Sequence, residues 1–104
     1  MIIVDSGPKP VETDNTAVVN GIATLVPRTV YTSSGVGPFT LPDPRNFEYG
    51  DGIVLIHSGG NATIINDYGM SPGDVIINDG VTMFLTVVLT GSSHNWAQVP
   101  GELN

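Results

Sequence analysis

Ile53-Val54-Leu55-Ile56-His57-Ser58-Gly59-Gly60-Asn61-Ala62-Thr63-Ile64-Ile65 is the stretch on which the fold turns. Residues 53–56 are apolar without a break, which reads as a strand buried on both faces. Ser58-Gly59-Gly60-Asn61 supplies residues suited to positive φ and reads as a hairpin turn. Ala62-Thr63-Ile64-Ile65 then returns as a second strand. The run is too short for a membrane-spanning helix, which needs roughly 18 or more apolar residues.

The same grammar continues on both sides. Downstream, Asp74–Ile77 is a strand and Asn78-Asp79-Gly80 a tight turn. Val81 to Leu89 alternates, with Val81, Met83, Leu85, Val87 and Leu89 on one apolar face. Thr90-Gly91-Ser92-Ser93 turns the chain, and His94–Val99 is the last strand, carrying Trp96. Upstream, Ile22–Val26, Arg28–Thr32 and Phe39–Leu41 are short strands. Pro27 and Pro42-Asp43-Pro44 interrupt them, because proline cannot donate to a ladder. No exact internal repeat is visible.

Composition agrees. The 104 residues include 13 Val, 9 Ile and 10 Thr, together with 13 Gly and 8 Pro. β-Branched side chains lose χ1 freedom in a helix and pack well on a pleated surface. The expectation is one all-β domain, an antiparallel β-sandwich or barrel-like domain of about seven or eight short strands over residues 21–104.

Residues 1–20 read differently. Ile2-Ile3-Val4 is a small apolar tip, and Asp5-Ser6-Gly7-Pro8-Lys9-Pro10 favours an extended path. Val18 and Val19 close the segment. It is expected to be an extended N-terminal arm that grips a partner through Ile2, Ile3, Val4, Val18 and Val19, stiffened by Pro8 and Pro10. The opening lacks the basic region and long hydrophobic stretch of a secretory signal.

Charge narrows the function classes. Ten acidic residues face Lys9, Arg28 and Arg45, a net −7. Nucleic-acid binding needs clustered cations, so neither nucleic acid nor an anionic membrane is an expected partner. There is no cysteine, so thiolate metal sites, disulfides and cysteine nucleophiles are excluded. His57 and His94 are the only imidazoles and lack metal-site spacing, such as His-x-His or His-Glu-x-x-His. Ser58, Ser92 and Ser93 adjoin them in sequence, but neighbours on a strand point to opposite faces, so adjacency makes no dyad. Asn66, Asp67, Asp74, Asn78 and Asp79 form an oxygen-rich patch of calcium-ligand type; the same residues are also ordinary turn formers. Tyr31, Tyr49, Tyr68 and Trp96 suit sugar stacking, although core or interface packing is the commoner use of such a Trp. The expectation is no enzyme, no cofactor and no metal.

The order of phrases from Phe39 onward carries a resemblance. Phe39-Thr40-Leu41-Pro42 is followed by Gly50-Asp51-Gly52 and the apolar strand, Ser58-Gly59-Gly60-Asn61 and Ala62-Thr63-Ile64. Ile76-Ile77-Asn78-Asp79-Gly80, Val81-Thr82-Met83-Phe84-Leu85 and Ser93-His94-Asn95-Trp96 complete it. This resembles the small β-structured virion proteins of tailed bacteriophages, over about two-thirds of the chain. With an N-terminal arm and no repetitive shaft, it is most similar to a capsid decoration, or cement, protein. The resemblance implies a structural protein on the virion capsid surface, made in the host cytoplasm. It would bind the major capsid protein as a homo-oligomer, a homotrimer in that family, and stabilise the shell by bridging neighbouring subunits. The alternative is a tail-fibre, head-fibre or baseplate module attaching to a host glycan or another virion protein.

Overall fold

Inward-pointing Tyr31, Ile53, Leu55, Leu85, Val87 and Trp96 alternate with outward residues along their strands, and all six are buried. That period of two builds a sheet with one face on a core. The computed structural model describes residues 13–67, 74–90 and 93–99. It contains nine strands: β1 (Asn15–Val19), β2 (Ala23–Thr24), β3 (Thr29–Ser34), β4 (Phe39–Thr40), β5 (Gly52–Ser58), β6 (Ala62–Ile65), β7 (Val75–Ile77), β8 (Thr82–Thr90) and β9 (Ser93–Val99). A 3-10 turn, Pro44–Asn46, interrupts the connection before β5. The chain is all-β, as the composition predicts.

The strands form two mixed sheets, ordered β1-β3-β5-β8-β9 and β2-β4-β6-β7. β1, β3 and β5 are parallel in the first sheet, while β2, β4 and β6 are parallel in the second. The chain therefore passes from one sheet to the other and back, making three stacked turns of a parallel coil. β7, β8 and β9 then pair antiparallel. This corrects the expected antiparallel sandwich or barrel.

The hairpin expected at 58–61 is the clearest case. β5 is flanked by β3 and β8, so both of its edges are already paired. β6 must leave for the opposite sheet, where it pairs with β4 and β7. Gly59 and Gly60 do take positive φ, 87° and 103°, but they bend the chain between sheets. Gly35, φ 80°, does the same one turn earlier. A Cβ on Gly59 would lie 3.1 Å from the Gly35 amide nitrogen, and one on Gly35 3.0 Å from the Asn20 carbonyl oxygen. The bends stack so closely that side chains do not fit between them. Asn78-Asp79-Gly80 likewise carries the chain from one sheet to the other.

The repeat is invisible in the text because its turns are unequal. Four residues join β2 to β3, and eleven join β4 to β5. Arg28 closes the short connection in the left-handed region, φ 62°. Its guanidinium reaches Asp51 at 2.9 Å and Asp14 at 3.0 Å, and its carbonyl accepts from the Asp14 and Asn15 amides. One side chain thus ties the starts of all three coil turns. Asp51, and then Asp14, push the guanidinium further above its ordinary range by favouring the charged form.

Asn15–Val19, assigned to the arm by the sequence, is an edge strand of the five-stranded sheet among the described residues. Trp96 lies in the core and donates its indole N–H to the Pro42 carbonyl at 2.7 Å, which anchors the long connection against β9.

Candidate functional site

The outward face of the five-stranded sheet carries one exposed row that a partner could reach. Strand alternation puts Thr16 and Val18, Val30, Thr32 and Ser34, Val54, Ile56 and Ser58, and Thr82, Phe84 and Thr86 on that side. β9 adds Ser93, Asn95 and Ala97. None of these side chains ionises, in a chain of net charge −7. One row, toward the strand ends that lead to the glycine bends, is exposed. Val18 faces Thr32, Thr32 faces Ile56 and Ile56 faces Thr82, and all four are exposed, Val18 at 76% and Ile56 at 46%. The adjacent row is closed: Val54 and Phe84 are buried, with Val30 half-buried against them.

The first coil turn is uncharged as well. No residue from Asn15 to Pro27 ionises. Ile22 and Val26 are 82% and 58% exposed.

The residues with chemical potential are engaged elsewhere. His57 is 3% exposed and Ser33, its register neighbour on β3, is fully buried. Ser33 Oγ lies 2.8 Å from His57 Nδ1, and His57 Nε2 lies 2.5 Å from the Gly60 carbonyl. A carbonyl only accepts, so Nε2 carries the proton. In the neutral ring Nδ1 then accepts from the Ser33 hydroxyl. The pair has the connectivity of a serine and its base, with a carbonyl orienting the imidazole. A nucleophile with no accessible surface meets no substrate, so the arrangement satisfies buried polar groups and fixes the bend at Gly60. Phe39 packs on the same imidazole edge-on, at a centroid separation of 6.1 Å. Sequence reasoning missed this pair because its members are 24 residues apart. The signal for it lay in stacking the bends, which brings residues just before Gly35 and Gly59 side by side.

Asp74 and Asp79 of the oxygen-rich turns accept from backbone amides. Asp74 Oδ1 accepts from the Asn66 amide at 2.8 Å, and Asp79 Oδ1 from the Gly59 amide at 3.0 Å. Asn61 Oδ1 accepts in turn from the Asp79 amide at 3.0 Å, so the bends at 59–61 and 78–80 clasp each other. Among the described residues no group of three or more His, Asp or Glu side chains is placed to hold a metal ion.

An open groove of about 300 Å³ runs between the 3-10 turn and β9, lined by Asp43, Pro44, Arg45, Ser93, His94 and Asn95. Arg45 clamps Asp43 through Nε and Nη2, at 2.9 and 2.6 Å to its two oxygens, and also donates its backbone amide. These bonds stabilise the carboxylate and hold Asp43 down to about 2, from an ordinary 3.8. Ser93 and His94, adjacent on β9, point to opposite faces, so the groove joins no nucleophile to a base.

Of the residues assigned to partner binding, Val18 is on the accessible row and Val19, 7% exposed, belongs to the core. Ile2, Ile3, Val4, Pro8 and Pro10 lie outside the described residues. Tyr31 and Trp96 are buried, Tyr49 is exposed, and Tyr68 lies outside the described residues, so the described aromatics form no sugar-stacking platform. Ile22, Val26, Val36, Ile56, Ile76 and Leu89 are among the exposed apolar residues that the sequence did not single out for binding.

Comparison with protein-family models, with curated proteins and with solved structures finds no match for this chain.

Proposed function

We propose that this chain is a non-catalytic structural protein of a tailed-bacteriophage virion, bound to the outside of the assembled capsid. The observation that carries the reading is the exposed, uncharged row Val18–Thr32–Ile56–Thr82 on an otherwise acidic chain. An exposed β-row without ionisable groups meets another protein with little desolvation cost, because no charge has to leave water. The order of β-turn phrases from Phe39 onward, similar to phage virion proteins, supplies the identity of that partner as the major capsid protein.

The mechanism follows from mass action. A protein that binds only the assembled lattice stabilises that lattice by its own binding free energy. Two separate contacts, the sheet face and the apolar tip Ile2-Ile3-Val4, would make the second attachment intramolecular and raise avidity. A truncation and a substitution test the reading in a capsid co-sedimentation assay. Deleting residues 1–10 abolishes binding while the β-domain keeps its circular dichroism. Ile56→Glu, at an exposed position, weakens binding with an unchanged melting temperature. Capsid binding at unchanged affinity by both variants would refute the proposal.

A further inference from the structure

A second surface lies at the β1 edge of the five-stranded sheet. β1 is an edge strand whose backbone is only half used among the described residues. The Asn15 amide bonds to the Arg28 carbonyl and the strand runs parallel to β3. By alternation, Ala17 and Val19 also turn their backbone groups toward β3, while Thr16 and Val18 turn theirs away from the sheet. Unpaired edges of this kind are templates for strand addition, and proteins commonly blunt them with charge or proline. Here Asn15 to Val19 contains neither.

We propose that β1 pairs antiparallel with β1 of a second copy, about a two-fold axis through Ala17. The outward backbone groups decide the register. Thr16 and Val18 are symmetric about Ala17, so an antiparallel partner in that register sets Thr16 against Val18 of the other copy, and Val18 against its Thr16. Both become hydrogen-bonded pairs, and each exchanges two N–H···O bonds. Ala17 meets its own mate in a non-hydrogen-bonded pair, where strands approach most closely and a small side chain fits. Asp14 falls opposite Asn20 of the other copy, so no two acidic groups face each other despite the chain's net −7. Thr16 and Val18 are exposed, and the union joins the two uncharged sheet faces into one. The contact is isologous, so it closes at two copies. It stands independently of capsid binding.

The test is the solution mass of the full chain, without capsid, by concentration-dependent sedimentation equilibrium. The expected result is reversible formation of a species of twice the 10.9 kDa chain mass. Ala17→Glu sets two carboxylates against each other on the axis and raises the dimer dissociation constant about tenfold or more. Val18→Pro removes an outward N–H that the monomer does not use, so it abolishes dimers while the melting curve of the monomer is retained. Amide exchange at Thr16 and Val18 is slow in the dimer and fast in Ala17→Glu. A trimeric mass, or a dimer indifferent to Ala17→Glu, would overturn the proposal. So would a monomer whose Thr16 and Val18 amides are nonetheless protected, since the edge is then occupied by the chain itself.

Discussion

Removing the Ser33 hydroxyl isolates the role of the buried Ser33–His57 pair. Ser33→Ala deletes a donor 2.8 Å from His57 Nδ1 at a site without accessible surface. The ring nitrogen is left with a buried, unpaired lone pair, at a cost of about 1–3 kcal/mol. His57→Ala does more. It orphans the Ser33 hydroxyl, removes the bond to the Gly60 carbonyl and leaves a void beside Phe39, for about 3–5 kcal/mol. A domain of this size is stable by only about 5–15 kcal/mol in total, so the second variant stands near the limit of folding. The two losses are not additive. Once His57 is gone, removing the orphaned hydroxyl relieves a penalty, so the double variant is less destabilised than the sum by about 1–2 kcal/mol. Urea denaturation of the four proteins closes this cycle. An active-site fluorophosphonate probe supplies the chemical arm, and it leaves Ser33 unmodified in the folded protein. Additive losses, or a Ser33→Ala protein as stable as the parent, would refute the structural role. Stoichiometric labelling of Ser33 would show that the pair is reachable and reactive.

The remaining predictions concern the bends and the groove. Gly59→Ala forces a side chain into φ 87° and 3.1 Å from the Gly35 amide nitrogen, and lowers stability by about 1–3 kcal/mol in the same denaturation assay. Gly60→Ala, at φ 103° but with open space around its Cβ, carries the conformational strain without the clash and costs less. Asp43 is held at about 2 against an ordinary 3.8, so its contribution to stability is complete above that ordinary value. It is lost as the pH falls through about 2, when the folded carboxyl also protonates. Thermal melts of the parent and of Asp43→Asn therefore differ above pH 4 and converge toward pH 2. A difference that stays constant across that window would show that the clamp with Arg45 contributes nothing.

Most strands were legible in the sequence. Ile53–His57, Ala62–Ile65 and Val81–Leu89 were marked by apolar runs or alternation, and β5, β6 and β8 overlie them closely. Side-chain period is a local property, so one sequence carries it. The pairing was not legible. Ser58-Gly59-Gly60-Asn61 specifies positive φ, and both a hairpin and a passage between sheets require it. What excluded the hairpin was the prior occupation of both β5 edges, by β3 from upstream and β8 from downstream. The accessible row was hidden for the same reason. Val18, Thr32, Ile56 and Thr82 come from four separate strands, and no spacing in the sequence aligns them. The Ser33–His57 pair likewise depends on bends stacking across unequal connections.

Composition alone determined an all-β chain with sparse cations, because β-branched content and net charge are sums over residues that no folding can alter. Only the tertiary structure decided that the coil is parallel, that His57 faces inward and that β1 stands at an edge. Those are consequences of which backbone groups remained unpaired once longer-range partners had been chosen.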